Sequence, residues 1–208
     1  MYKNSSLHKS DMSTLKIISS TDRPGSNALK VSEYLKPKYE ALGAEVEIIS
    51  MRDFPVEEVV GGRYGKAISV IDSFNKKILS TDGLIFVIPE YNGSFPGILK
   101  LFFDYLPYPH GLEKMPVCMV GESSGAFGAL RAVEQFEAVC GYRKAYVFPE
   151  RVFIARVNQN FDIDTGIKES FTQALLLDQI HNFYSFVRNV KNHEMSPEEA
   201  GTGDWPEL

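Results

Sequence analysis

The chain has only two cysteines, one tryptophan and four histidines in 208 residues. Cys118 and Cys140 form neither a Cys-x-x-Cys pair nor, with the scattered histidines, a ligand set of metal-site spacing. They read as buried structural thiols of a reducing compartment. No apolar run approaches the length of a membrane span, so no membrane association is expected. Residues 1–13 are polar and lack the apolar core of a signal peptide, which points to a cytoplasmic location. The formal net charge of −5 disfavours nucleic acid as a partner. No G-x-G-x-x-G follows the first apolar strand pattern, which excludes a Rossmann dinucleotide site. Gly61-Gly62-Arg63-Tyr64-Gly65-Lys66-Ala67 has one residue too few between its glycines for a Walker A loop. Ala67 also replaces the hydroxyl residue that holds magnesium there, so the segment reads as a lead-in to a helix. No histidine is spaced to activate Ser123 or Ser124 as a nucleophile.

What is present is a globular composition, 44% hydrophobic and 12% aromatic, in a length suited to one domain. Residues 1–13 read as a flexible arm, 14–192 as the domain and 193–208 as an acidic tail rich in Pro and Gly. Strands are expected at 15–20, 46–49, 83–89, 116–121 and 145–148. Helical spacing appears at Ala28, Val31, Leu35, Tyr39 and Leu42, with Gly43 as the stop and Pro37 expected to kink or break the helix near Glu33. Further helices are expected at 64–79, 95–106, from Ala129 to Cys140, and from about 168 to 190. Five apolar strands alternating with helices demand a mostly parallel sheet covered on both faces, an α/β doubly wound fold. Such sheets bind ligands at the carboxyl ends of their strands, where the strand order reverses.

Three loops stand at such ends. Ser20-Thr21-Asp22-Arg23-Pro24-Gly25-Ser26-Asn27 combines hydroxyls, a guanidinium and a following helix N-terminus, a setting that favours an anion. Ser26 or Asn27 is the expected cap, and Asp22 should point away. Pro89-Glu90-Tyr91-Asn92-Gly93-Ser94-Phe95-Pro96-Gly97 carries one ring, little charge and many backbone polar groups, which suits a flat heterocycle. Ser94 is a candidate cap there and Pro96 a candidate first-turn residue. Gly121-Glu122-Ser123-Ser124-Gly125-Ala126-Phe127-Gly128-Ala129 is built of small residues that let a ligand approach the backbone, with Ser124 a candidate cap.

Together the three loops resemble the NAD(P)H-dependent FMN reductases of flavodoxin-like fold, a group that includes quinone, azo and chromate reductases. In the pattern Gly-Ser-x-Arg-x-x-Ser, Ser20 stands for the glycine and Thr21 for the first serine, while Arg23 and Ser26 match. Pro-Glu-Tyr-Asn-x-Ser-x-Pro-Gly-x-Leu-Lys is matched in full from Pro89 to Lys100. Ser-Ser/Pro-Gly-x-x-Gly-Gly-x-Arg is matched at Ser123, Ser124, Gly125, Gly128 and Arg131, with Ala129 in place of the second glycine. A departure follows at Leu101 and Phe102, where the family often has a more polar helix.

The resemblance implies a five-stranded parallel sheet of order 2-1-3-4-5 with helices on both faces. It implies FMN as cofactor, NADPH or NADH as co-substrate, and a small-molecule electron acceptor such as a quinone, azo compound, free flavin or metal oxyanion. The phosphate is expected on Thr21, Arg23, Ser26 and Asn27. The flavin ring is expected along Pro89, Glu90, Tyr91, Asn92 and Gly93, and Ser123, Ser124, Gly125, Phe127 and Gly128 close the opposite side. The chemistry is the flavin's, so no side chain is assigned as catalytic acid or base. A non-enzymatic flavodoxin-like electron carrier is the alternative. The helix at 95–106 is apolar around most of its circumference, which leads us to expect a homodimer or homotetramer that covers it.

Overall fold

Every one of the five apolar stretches becomes a strand of a single parallel sheet: β1 (Thr14–Ser19), β2 (Glu45–Ser50), β3 (Gly83–Pro89), β4 (Pro116–Glu122) and β5 (Tyr146–Ile154). Their order is β2-β1-β3-β4-β5, the flavodoxin-like order. This computed structural model describes residues 12–108 and 110–192. The expected tail and all but the end of the expected arm lie outside the described residues. Within that arm, Ser13 is buried and its carbonyl accepts from Glu45 N–H, so the chain is already pinned there.

Strand periodicity divides the core in two. Leu15, Ile17, Ile85, Val87, Cys118 and Val120 point to the face covered by α1 (Asn27–Ala41) and α6 (Ser170–Asn192). Ile18, Leu84, Phe86, Ile88, Val117 and Met119 point to the face covered by α2 (Ser69–Leu79), α3 (Gly97–Asp104) and α4 (Leu130–Tyr142). Both faces of the central strands are therefore dry, which is why β3 and β4 read as unbroken apolar runs. The two cysteines sit on opposite faces, both free, and burial pushes both thiols up out of the reactive range. Phe136 of α4 packs against the rings of Phe86, Phe95 and Phe103 at 4.9, 5.3 and 4.7 Å between centroids.

Several local expectations fail for physical reasons. Pro37 does not break α1 near Glu33: the helix runs on to Ala41. Both Pro37 and Glu33 are exposed, so the lost backbone bond lies on the solvent side, while Tyr34, Leu35 and Tyr39 hold both halves of the helix to the sheet. Residues 64–68 are turn and extended chain, and α2 begins only at Ser69. β5 runs to Ile154, well past Phe148, because its pairing with β4 skips from Val117↔Val147 to Met119↔Arg151. Pro149 lies in that bulge on the edge strand, where its missing N–H costs little. After β5 come a short helix α5 (Val157–Asn160) and a two-stranded hairpin, β6 (Phe161–Asp162) and β7 (Gly166–Ile167), that the apolar pattern did not announce. α3 needs less outside cover than its sequence suggested. Leu99, Phe102, Phe103 and Leu106 are buried within the chain, and Ile98 and Leu101 are half-buried against the same core.

The β4–β5 bulge is tied to α6 by one buried side chain. Buried Gln179 of α6 donates its amide to Met119 O at 3.0 Å and to Glu150 O at 2.8 Å. A Gln179→Leu variant keeps the volume and removes the donor, so we expect a loss of about 1–3 kcal/mol of stability in urea unfolding. Ala129 stands where the resembling pattern has glycine, and its backbone is left-handed at φ 70°. Ala129→Gly should relieve that strain and stabilise by up to about 1 kcal/mol in the same assay.

Candidate functional site

The sheet ladder continues beyond the strand ends and sets the loops side by side. Ser20 N–H donates to Val87 O at 3.1 Å, Glu90 N–H to Glu122 O at 3.2 Å, and Ser123 N–H to Ile154 O at 3.1 Å. A cleft of about 750 Å³ opens between the β1–α1, β3–α3 and β4–α4 loops.

The β1–α1 loop supplies an anion-seeking end. Ser26 caps α1, with its Oγ accepting from Leu29 N–H at 3.1 Å. α1 has no acidic residue in its first turn, so its N-terminal dipole is not neutralised from within the helix. Arg23, and Lys30 one turn into α1, both line the cleft, and Asp22 does not.

The β3–α3 loop is a miniature hairpin. Tyr91 and Ser94 exchange both backbone hydrogen bonds, at 2.8 and 3.0 Å, around Asn92 and Gly93. Those two residues have φ of 52° and 79°, the pair of positive values that a type I′ turn demands. Asn92 is therefore placed for its backbone as much as for its amide. The turn is tied on both flanks. Tyr91 hydroxyl meets Thr21 Oγ1 at 2.7 Å, Ser94 Oγ donates to Gln135 Oε1 at 2.6 Å, and Gln135 Nε2 donates to Gly93 O at 3.1 Å. Glu90 pairs with Arg131 of α4 at 3.4 Å. Ser94 thus clamps the turn rather than capping α3, whose N-cap is Pro96.

The β4–α4 loop forms the third wall. Phe127 is 59% exposed, and the Arg131 guanidinium lies 5.1 Å from its ring centroid. Ser124 does not cap α4, which starts after Ala129. Its Oγ instead accepts from Asn158 Nδ2 at 2.9 Å, and Asn158 Oδ1 accepts from Asn27 Nδ2 at 2.7 Å. Asn158 of α5 thus bridges the first and third loops across the mouth of the cleft.

Of the residues singled out in the sequence, Arg23, Ser26, Asn27, Pro89 to Gly93, Ser123 to Gly125 and Phe127 line this cleft. Thr21 and Gly128 do not. Thr21 is fully buried behind Tyr91 and acts through its hydroxyl. Gly128 faces away from the opening: a side chain there would meet the backbone of Phe153 at 2.7 Å. The sequence reading missed Lys30, Glu122, Arg131 and Asn158 as lining residues. Lys30 was legible from its place one turn after the cap, and Arg131 from its place in the third pattern. Asn158 belongs to no motif and arrives from beyond β5.

Glu122 is the unusual member. It ends β4 with 4% exposure and lines the cleft together with Arg23, Ser26 and Asn27 at the start of α1. Burial pushes its pKa up to about 7, against the opposing pull of the Ala28 N–H and of Arg23. Otherwise the lining fits a flat, phosphate-bearing heterocycle: a helix N-terminus with two cations at one end, and a rigid turn of exposed backbone polar groups at the other. Among the described residues no group of three or more His, Cys, Asp or Glu is placed to hold a metal ion, and no helix is long and apolar enough to cross a membrane.

The chain has relatives among known proteins. The chain is 29% identical over 124 residues to a 2-hydroxy-1,4-benzoquinone reductase of a Burkholderia species, covering 58% of this chain and 68% of that protein. It is 28% identical over 160 residues to the quinone reductase of Escherichia coli K12, covering 74% and 85%. In three dimensions it resembles the flavoenzyme NAD(P)H:(acceptor) oxidoreductase FerB of Paracoccus denitrificans, with a TM-score of 0.69, 20% identity, and coverage of 86% of this chain and 98% of that one. The model of the NADPH-dependent FMN reductase family matches residues 13–159, a span that holds all three loops and reaches past Asn158. The chain belongs to the NADPH-dependent FMN reductase family, and is an oxidoreductase of FMN and a reduced nicotinamide nucleotide.

Proposed function

We propose that this protein is an NAD(P)H-dependent reductase that delivers electrons to quinones from FMN held in the three-loop cleft. The convergence of the β1, β3 and β4 loops on one cleft, with Arg23 and Lys30 beside the N-terminus of α1, carries this reading. The names of the Burkholderia and Escherichia coli relatives support a quinone as the acceptor class. When bound, FMN supplies the hydride-accepting and electron-donating chemistry.

The side chains have four tasks. Arg23, Lys30, Ser26 and the first-turn N–H groups of α1 hold the phosphate. The Tyr91–Ser94 turn, fixed by Thr21 and Gln135, presents backbone donors and acceptors to the edge of the ring without needing to reorganise. Phe127, backed by Arg131, shields one side of the cleft from water. Asn158 holds the first and third loops at a fixed spacing around the phosphate end. Glu90 is committed to Arg131 and takes no part as an acid or base. An electron carrier needs the phosphate cradle but no room for nicotinamide; a cleft of about 750 Å³ open to solvent favours the enzyme.

A homodimer is part of the proposal. Tyr108 and Tyr142 are exposed beside an apolar groove between α3 and α4, lined by Phe103, Ala138 and Val139. Light scattering at micromolar concentration should give twice the chain mass; a monomer would remove this element.

Arg23→Ala should weaken FMN binding by on the order of 1.5–3 kcal/mol, the scale of a charge-assisted hydrogen bond. Titration of the apo-protein with FMN measures it, and an unchanged dissociation constant would place the phosphate elsewhere. Asn92→Val forces a β-branched residue into the left-handed backbone of the turn, at a cost of about 1–2 kcal/mol. It should lower FMN affinity, whereas Asn92→Gly should retain it. Nicotinamide and acceptor share the same wall of the cleft, so steady-state kinetics with a quinone should give parallel double-reciprocal lines. Intersecting lines would mean separate sites, and failure of NADPH and NADH alike to bleach the bound flavin would favour the carrier.

A further inference from the structure

We propose that Glu122 competes with the cofactor phosphate for the N-terminus of α1, so that the cleft accepts a dianionic phosphate only when the Glu122 carboxyl carries a proton. FMN binding then takes up one proton and weakens as pH rises above neutrality. This rests on the reading of the cleft as an FMN site.

The competition is for the same helix end. In the first turn of α1, Leu29 N–H is taken by Ser26 Oγ and Lys30 N–H by Ser26 O. The Glu122 carboxyl, buried and lining the cleft with Arg23, Ser26 and Asn27, sits beside the Ala28 N–H, which favours its ionised form. A phosphate seated at this helix end meets the carboxyl beside it. The backbone of Glu122 is fixed at this place. It is the last residue of β4, in register with Pro89 on one side and Ile154 on the other, and its carbonyl receives Glu90 N–H.

The charges around it do not remove the conflict. Arg23 from the β1–α1 loop favours the ionised carboxyl. Lys30 of α1 lines the same cleft from an exposed position. From the β3–α3 loop comes Glu90, a second carboxylate already paired with Arg131 of α4. From β5 the neighbour is apolar Ile154. Burial outweighs Arg23 and holds the carboxyl poised near neutrality, its pKa about 7 in the absence of ligand. A dianion arriving against it raises that value further, so the proton is bound together with the phosphate.

The test is the FMN dissociation constant of the apo-protein between pH 7 and 8.5, a range in which the FMN phosphate stays dianionic because its second pKa is about 6. The wild type should lose affinity on the order of tenfold across that range. Riboflavin, which has no phosphate, should bind with a flat profile. Glu122→Gln should make the FMN profile flat and bind more tightly than wild type at pH 8.5. Calorimetry at pH 8 in buffers of different ionisation enthalpy should show about one proton taken up per FMN by the wild type. That measurement needs no variant and decides the matter if Glu122→Gln does not fold. A flat wild-type profile without proton uptake overturns the inference while leaving the FMN site intact. An equal pH dependence for riboflavin overturns it too, by placing the titration at the ring. Absence of FMN binding at every pH overturns both this inference and the function on which it rests.

Discussion

The constraint on which the rest depends is the shared register of three parallel strands. Ser19, Val87 and Val120 lie abreast on β1, β3 and β4. Because the strands point the same way, their carboxyl ends stop at one edge of the sheet, and the loops that follow have to meet there. Backbone hydrogen bonds from Ser20, Glu90 and Ser123 carry the ladder one residue past the strands, so the roots of the loops are as fixed as the sheet itself. Dry packing on both faces holds the strands in this arrangement, and a slip of one residue would exchange every buried side chain for its neighbour.

Upon those roots the loops are cross-tied by a few polar side chains. Thr21 reaches Tyr91, Gln135 grips the turn at Gly93 and Ser94, and Asn158 joins Asn27 to Ser124. None of these ties is a large energy alone, since a neutral hydrogen bond contributes about 1 kcal/mol net. Their effect is geometric: each loop is held by its neighbours, and the cleft keeps its shape. A site whose chemistry belongs to a cofactor requires this rigidity more than it requires a reactive side chain. Glu122 adds a second property to the same place. Burial acts on it in one direction, the helix end and Arg23 in the other, and together they leave it near neutrality, where a change in bound charge can move its proton.

Much of this was legible beforehand. Alternation of apolar strands with helical spacing dictates a doubly wound sheet, and the match from Pro89 to Lys100 points to one kind of loop at one strand end. The positions that went astray share a cause. At Pro37 the local rule for proline yields to the buried residues on both sides of it. The end of β5 was hidden by Pro149 and by the bulge, which Gln179 ties to a distant helix. How much of the apolar circumference of α3 the chain itself covers was hidden too, because the sequence does not say how deeply Phe102 and Phe103 are sunk into their own core.

By itself the sequence determined the fold class, the three loops and the chemical character of each, because periodicity, turn residues and helix caps are local properties of a chain. Only the tertiary structure decided which loop residues face the cleft. Thr21 and Gly128 turn behind the wall, and Asn158 and Glu122 turn into it, since side-chain direction at a strand end depends on neighbours far away in sequence. The charge state of Glu122 belongs to the same class. A carboxyl acquires a pKa of about 7 only when burial at the end of the sheet outweighs the opposing pull of α1 and Arg23, and desolvation is a property of that enclosure that no stretch of sequence carries.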